Sequence, residues 1–353
     1  MASPIPTDDV GSFPLPSEVT REENTRAAAL AHRMMVKGAN IASLQQNKYL
    51  QQKLLGPVVD AFKLKQHAGI LWPNYPQFQD MNRQFLDLLG SDLSISPENA
   101  LIPEVEILQA YAQANFDQTA EKTLCRVCIT GPVELGIQLF GANLTADVLL
   151  KLATSVNKFV QNYCNDSEYF EVPLLAIDDP SLGIRDLPSL KDADIIAALT
   201  EATKATNGRE IFIHLHSLTH LKPILRVPNI TIIGAEFAST PDYLSFLSEK
   251  LLTEYGKKVR AGIAITSFDT LVLRYADSQG MNPGDVYRSP SLLQEVLESV
   301  DDIRAHYQPI MEKVGDFVTV AGPDCGLGPW LSQDLAFETL RRVVCAVHSV
   351  ESD

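Results

Sequence analysis

No apolar run in this sequence is long enough to span a bilayer, although 45% of its 353 residues are hydrophobic, so a membrane-spanning helix is not expected. The first residues, Met1-Ala-Ser-Pro-Ile-Pro6, lack the basic start and apolar segment of a secretory leader. Five cysteines at irregular spacing do not make a disulfide framework in a chain of this length. The expected compartment is therefore the reducing cytoplasm. Basic residues are also scarce: 29 Lys and Arg against 44 Asp and Glu leave a formal net charge of −15. Nucleic acid, whose phosphates call for a basic surface, is not an expected partner. Solenoid-period repeats and low-complexity linkers are missing too. The expectation is one domain over residues 1–353, with 1–6 as a short tail.

What is present is an alternation of apolar strands and amphipathic helices. Extended segments are expected at 8–13 and 66–72, then strands at 123–130, 172–177, 211–216, 230–236, 259–265 and 317–321. Helical text lies between them, over 17–37, 40–65, 80–89, 105–114, 192–206, 241–255, 291–314 and 333–348. Ser17 can cap the first helix, Thr20-Arg-Glu-Glu23 also has the spacing of a capping box, and Asn207-Gly208 reads as a helix stop. Apolar strands alternating with helices argue for a parallel sheet buried on both faces. About eight strands in a chain of this length suit a single (β/α)8 barrel with insertions. A doubly wound open sheet is the alternative. Against it, Val10-Gly-Ser-Phe13 lacks the later glycines of a dinucleotide-binding turn.

The chemistry is concentrated at strand ends. In Ile211-Phe-Ile-His214-Leu-His216 two histidines stand one residue apart after an apolar run. Side chains alternate along a strand, so both imidazoles leave the same face, as a pair of metal ligands would. Ile230-Thr-Ile-Ile-Gly-Ala-Glu236 and Gly322-Pro-Asp-Cys325 each add one candidate ligand after an apolar strand. Taken singly, a strand His is most often a hydrogen-bonded core residue, and a lone Cys is most often filler. Their shared position, strand then polar residue then loop, is where parallel barrels carry catalytic groups. His214, His216, Glu236 and Cys325 would make a tetrahedral set.

Taken in order, the motifs resemble a known family. They are Val10-Gly-Ser-Phe-Pro14, Asp80-Met81, Ile129-Thr-Gly-Pro-Val133, Ile177-Asp-Asp-Pro180, His214-Leu-His216, Glu236, Ser289-Pro290 and Pro323-Asp-Cys-Gly-Leu327 with Trp330 nearby. The chain is similar to the C-terminal catalytic barrel of cobalamin-independent methionine synthase, in its short "core" form. The resemblance implies methyl transfer to the sulfur of homocysteine, with the thiol bound to zinc. Its implied metal ligands fall on His214, His216, Glu236 and Cys325. His216 is a departure, because the family has Cys there. The homocysteine site implied by the resemblance falls on Val10, Gly11, Ser12 and Asp178, and a further family Glu aligns near Tyr75.

The family's full-length members use methyltetrahydrofolate, with a His before the Ser-Pro pair as the proton donor. Here Asp285-Val-Tyr-Arg-Ser-Pro290 places Arg288 at that point, and arginine is a poor acid. The implied donor is therefore methylcobalamin, carried on a corrinoid protein. Two other readings stand beside this one: transfer to another thiol such as coenzyme M, and a degenerate barrel acting only as a protein partner. Cys125-Arg-Val-Cys128 has C-x-x-C spacing, but within an apolar strand it reads as core filler. His220 reads as a surface or capping residue. His67, Trp72 and Tyr75 line either the barrel mouth or a packed strand.

Overall fold

The computed structural model describes residues 5–350 except 186, 205 and 207. The expected stop at Asn207 and residues 1–4 of the tail lie outside the described residues. Six strands form one parallel sheet: β1 (Val127–Thr130), β2 (Leu175–Asp178), β3 (Ile211–His214), β4 (Ile230–Ala235), β5 (Lys258–Ala264) and β6 (Val318–Pro323). Each lies beside its neighbour in sequence. Parallel neighbours need crossovers, and helices supply them. They include α1 (Pro132–Phe140) and α2 (Ala146–Tyr163) between β1 and β2, and α3 (Asp192–Ala202) between β2 and β3. Because both faces are covered, β1, β2 and β3 are buried at every position, which is why they read as unbroken apolar runs.

The register sets the site. Thr130 pairs with Asp178, Asp178 with His214, and His214 with Gly234. The polar residues that end β1, β2 and β3 are thus level with one another at the C-terminal edge.

Among the described residues this sheet has six laddered strands in place of the eight expected, and Thr123–Leu124 and Phe170–Glu171 form a separate two-stranded parallel ladder. The two N-terminal extended segments join the sheet through isolated parallel bridges: Thr7 to Ala321, Asp8 to Trp72, Ser12 to Gln77 and Asn74 to Arg126. Pro6, Pro14, Pro73 and Pro76 interrupt these segments. Proline has no N–H to give, so a continuous ladder cannot form there. Side chains do the holding instead. Asp8, Arg126, Arg260 and Lys65 are all fully buried. Arg260 donates from Nη2 to Asp8 Oδ1 at 2.8 Å and from Nε at 3.0 Å. Arg126 Nε lies 3.4 Å from Asp8 Oδ2, and its Nη1 donates to the Asp9 carbonyl. Lys65 Nζ meets Asp9 Oδ2 at 2.6 Å and the carbonyls of Gly11 and Asn74 at 3.1 and 3.0 Å.

The first of the long helices begins four residues after Ser17, so the capping box and not Ser17 sets its start. Thr20 caps the helix Arg21–Val36, and Glu23 closes the capping box. The helix Asp192–Ala202 ends before the expected 206, with Thr203 as its C-cap. Pro309 sits inside the helix Val300–Val314 without ending it.

Two buried acids lack a cationic partner of the Asp8 kind. Burial pushes Glu104 up to about 7, although Gln79 Nε2 donates to it at 2.6 Å. Burial pushes Asp179 up to about 8 against the hydrogen bond from the Glu134 amide. Two predictions follow from this contrast. Asp8→Ala strands two buried guanidinium groups and should cost about 3–5 kcal/mol; urea unfolding that moves by much less than this contradicts the account. Asp179 holds its proton when folded and loses it near pH 4 when unfolded. Its contribution is therefore full below that pH and is lost as the pH rises through about 8. Relative to Asp179→Asn, the wild type should lose on the order of 1 kcal/mol of stability per pH unit between pH 5 and 7. Parallel stability curves for the two proteins would rule that out.

Candidate metal centre

Strand alternation places the first two ligands. Leu215 turns into the core and its amide donates to the Gly234 carbonyl at 3.1 Å, holding the end of β3 against β4. His214 and His216 therefore emerge on one side, with ring centroids 5.2 Å apart and planes at 80°. Glu236 follows the last residue of β4, and Cys325 stands two residues beyond β6. The four residues offer ligand atoms that all lie within 4.8 Å of one another. Cys325 Sγ is 3.4 Å from His216 Nε2, and His216 Nε2 is 3.5 Å from Glu236 Oε1. Bonds of about 2.0–2.3 Å to a tetrahedral zinc would put neighbouring ligand atoms roughly 3.3–3.8 Å apart.

The chemistry of the donor set fits a cation. His214 is buried, and neither ring nitrogen has a hydrogen-bond partner. A buried imidazole with both nitrogens idle is costly, and a metal satisfies one of them. The protein surroundings disfavour charge on every one of these groups. Burial pushes Cys325 up to about 12 and Glu236 up to about 7, with each further raised by a nearby acid, Glu236 and Asp324 respectively. Burial also lowers both histidines, His214 the more strongly. A divalent cation among these atoms reverses the balance, because it favours thiolate, carboxylate and free imidazole nitrogen.

A cavity of about 250 Å³ opens beside this cluster, lined in part by Val10, Ser12, Asp178, His214, His216 and Cys325. Glu236 and Gly11 do not line it. Gly11 backs the wall at φ +134°, and a Cβ there would sit 2.7 Å from Asn74 Nδ2, so only glycine fits. Ser12 Oγ accepts the Gly328 amide at 3.2 Å, which leaves its hydroxyl proton for a ligand. Asp178 is buried, and its Oδ1 has no partner. Burial pushes its carboxyl up to about 6, while Arg126 and Arg260 oppose the rise.

Other candidates fall away from this centre. Tyr75 is fully buried and its phenol donates to the Cys128 carbonyl at 3.0 Å; the amides facing the cavity from this segment are Gln77 and Gln79. Cys125 and Cys128 are buried, unpaired core residues. His220 lies 3.5 Å from Asp192 and outside the ligand group. His67 is exposed at a helix end, and neither it nor Trp72 lines the cavity. Arg288 is exposed and paired with Asp285 at 2.6 Å. The residues sequence reasoning passed over are Arg126, Arg260 and Asp324. The first two carried a signal, a lone charge inside an apolar strand, which is expensive unless paired.

No protein-family model and no curated protein matches the sequence. Among solved structures, the chain is similar to a B12-independent methionine synthase from Shewanella sp. W3-18-1 in complex with selenomethionine, at 14% identity and a TM-score of 0.59, over 99% of this chain and 98% of the other. It is similar to a methyltransferase from Methanosarcina mazei at 12% identity and a TM-score of 0.59, over 99% and 95% of the two chains. At these identities the likeness is one of fold, an α/β architecture shared along almost the whole chain.

Proposed function

We propose that the chain is a zinc-dependent methyltransferase built on a (β/α)8 barrel, and that it moves a methyl group onto the thiol of homocysteine. The observation that carries this reading is the convergence of His214, His216, Glu236 and Cys325 around one point, with both His214 nitrogens free. The isolated bridges from residues 7–12 and 72–77 support the barrel, since they link the two outer strands of the sheet.

A zinc ion in this donor set would supply the Lewis acidity that keeps a substrate thiol deprotonated at neutral pH. The rest is the work of the chain. Asp178, which lines the cavity and has one oxygen without a partner, takes the substrate ammonium. The Ser12 hydroxyl donates to the carboxylate. The cavity, about 250 Å³, has room for one small amino acid. The sulfur then attacks the methyl carbon: the S–C bond forms, the bond from carbon to donor breaks, and the electron pair stays with the donor. His216 in place of a thiolate ligand removes one negative charge from the set. A zinc ion there would carry more net positive charge, which would favour the thiolate form of the substrate and withdraw more electron density from its sulfur.

For the donor we favour methylcobalamin on a corrinoid protein. A methyl on a folate nitrogen leaves only with protonation. The position of the family's acid is occupied by Arg288, an exposed, ion-paired arginine. Coenzyme M is the rival acceptor. It has no ammonium for Asp178, and that difference separates the two.

Two measurements test the reading. Protein loaded with zinc and dialysed should keep a single zinc per chain, while His214→Ala and Cys325→Ala should retain little; full retention by Cys325→Ala contradicts the ligand set. With methylcobalamin as donor, wild type should convert homocysteine to methionine. Asp178→Asn should raise KM for homocysteine roughly 10–100-fold while leaving transfer to a thiol without an ammonium group unchanged. Turnover of coenzyme M in preference to homocysteine points to the rival acceptor, and turnover with methyltetrahydrofolate alone rules out the donor.

A further inference from the structure

The ligands Glu236 and Cys325 come from β4 and β6, which are not neighbours, because β5 lies between them. Something must hold the two loops in one geometry, since a ligand displaced by a fraction of an ångström is a poor one. One side chain spans the gap. Asp324, next to Cys325, is fully buried. Its Oδ1 accepts the Ala238 amide at 3.1 Å and its Oδ2 accepts the Ser239 amide at 2.6 Å. Those amides lie two and three residues beyond Glu236, in a turn that the Thr240 amide closes onto the Glu236 carbonyl at 2.9 Å. The Asp324 amide donates in turn to the Ala264 carbonyl of β5 at 2.9 Å.

The intervening strand makes way for this reach. A Cβ on Gly262 of β5 would lie 2.5 Å from Asp324 Oδ1 and 2.5 Å from the Ala235 carbonyl oxygen. Any larger residue would push the carboxylate off the turn or push the turn off the strand. Both carboxylate oxygens are committed to backbone amides, so Asp324 serves the centre without being a ligand.

We propose that Asp324 is a positioning residue for the metal centre. In this view it ties the Glu236 loop to the Cys325 loop so that the two ligands move as one unit, and Gly262 is the space that lets it do so. The inference rests on the metal-centre reading above and adds to it the device that sets the ligand geometry.

In Asp324→Asn an amide NH₂ would face one of the two backbone N–H groups, donor against donor, and one tie would be lost. Zinc affinity, measured by competition with a chromophoric chelator, should fall about 10–100-fold. The cobalt-substituted protein should lose intensity in its thiolate-to-cobalt absorption band, a readout of the Cys325 bond that general loosening of the fold would not single out. Gly262→Ala, with Asp324 intact, should change both measurements in the same direction. The double variant should be little worse than either single one, because a single tie is broken in all three. If Asp324→Asn does not fold by circular dichroism, Gly262→Ala carries the test. Hydrogen exchange on the unaltered protein is a third arm: the amides of 238 and 239 should be protected, and free exchange there rejects the tie. Failure of the wild type to bind zinc overturns the metal-centre reading itself. A wild type that binds zinc, with variants equal to it in affinity and spectrum, overturns the role of Asp324 alone.

Discussion

A single buried carboxylate, that of Asp8 in the N-terminal segment beside β6, organises this protein. It sits with no solvent exposure against the guanidinium groups of Arg260 and Arg126, which reach it from β5 and from the lead-in to β1. The segment that carries Asp8 has almost no ladder to hold it, only one-residue bridges on either side. Its ion pairs do what the backbone cannot. An interior charge cluster of this kind is not evidently more stable than a packed apolar one. It is specific, because one carboxylate position brings both guanidinium groups within ion-pair reach of Asp8. Val10 and Ser12 follow within the next four residues and line the cavity, so the binding wall inherits its position from Asp8.

The same cluster sets the electrostatics above it. Arg126 and Arg260 oppose the burial that raises Asp178, and they reinforce the burial that lowers His214. Both effects suit the proposed site, which would hold an ammonium beside Asp178 and a cation beside unprotonated imidazoles. Both arginines also lie over the Phe212 ring, at 5.2 and 5.8 Å from its centre, so part of their charge rests on an aromatic face. The Phe212 ring is in turn 6.1 Å from that of His214, so the arginine pair, the aromatic ring and the first candidate ligand are neighbours.

Much of the candidate site was legible in the residues. The spacing of His214 and His216 says they share a face, because a strand alternates with period two, and Leu215 does turn inward between them. That Glu236 and Cys325 end their strands as His214 does was equally readable, since apolar runs mark buried strands. The expectation of eight strands missed the difference between a ladder and a bridge. Prolines at 6, 14, 73 and 76 were visible, but their combined effect on pairing depends on which neighbours the fold presents. The Glu aligned near Tyr75 failed for a similar reason. Which residue of a proline-rich extended segment faces inward depends on its local twist, and here Gln77 and Gln79 face the cavity while Tyr75 is packed away.

By itself the sequence determined the alternation of strand and helix, the parallel sheet, and the four candidate donor groups, because these follow from local period and residue chemistry. Tertiary structure alone decided that donors 111 residues apart in the chain, from His214 to Cys325, lie within bonding reach of one ion. It also decided that Asp8 rather than a backbone ladder holds the N-terminal segment, and that Asp324 reaches past β5 to the loop of Glu236. Such contacts depend on which strands are neighbours and which glycine leaves room between them, and no local pattern encodes distance across a sheet.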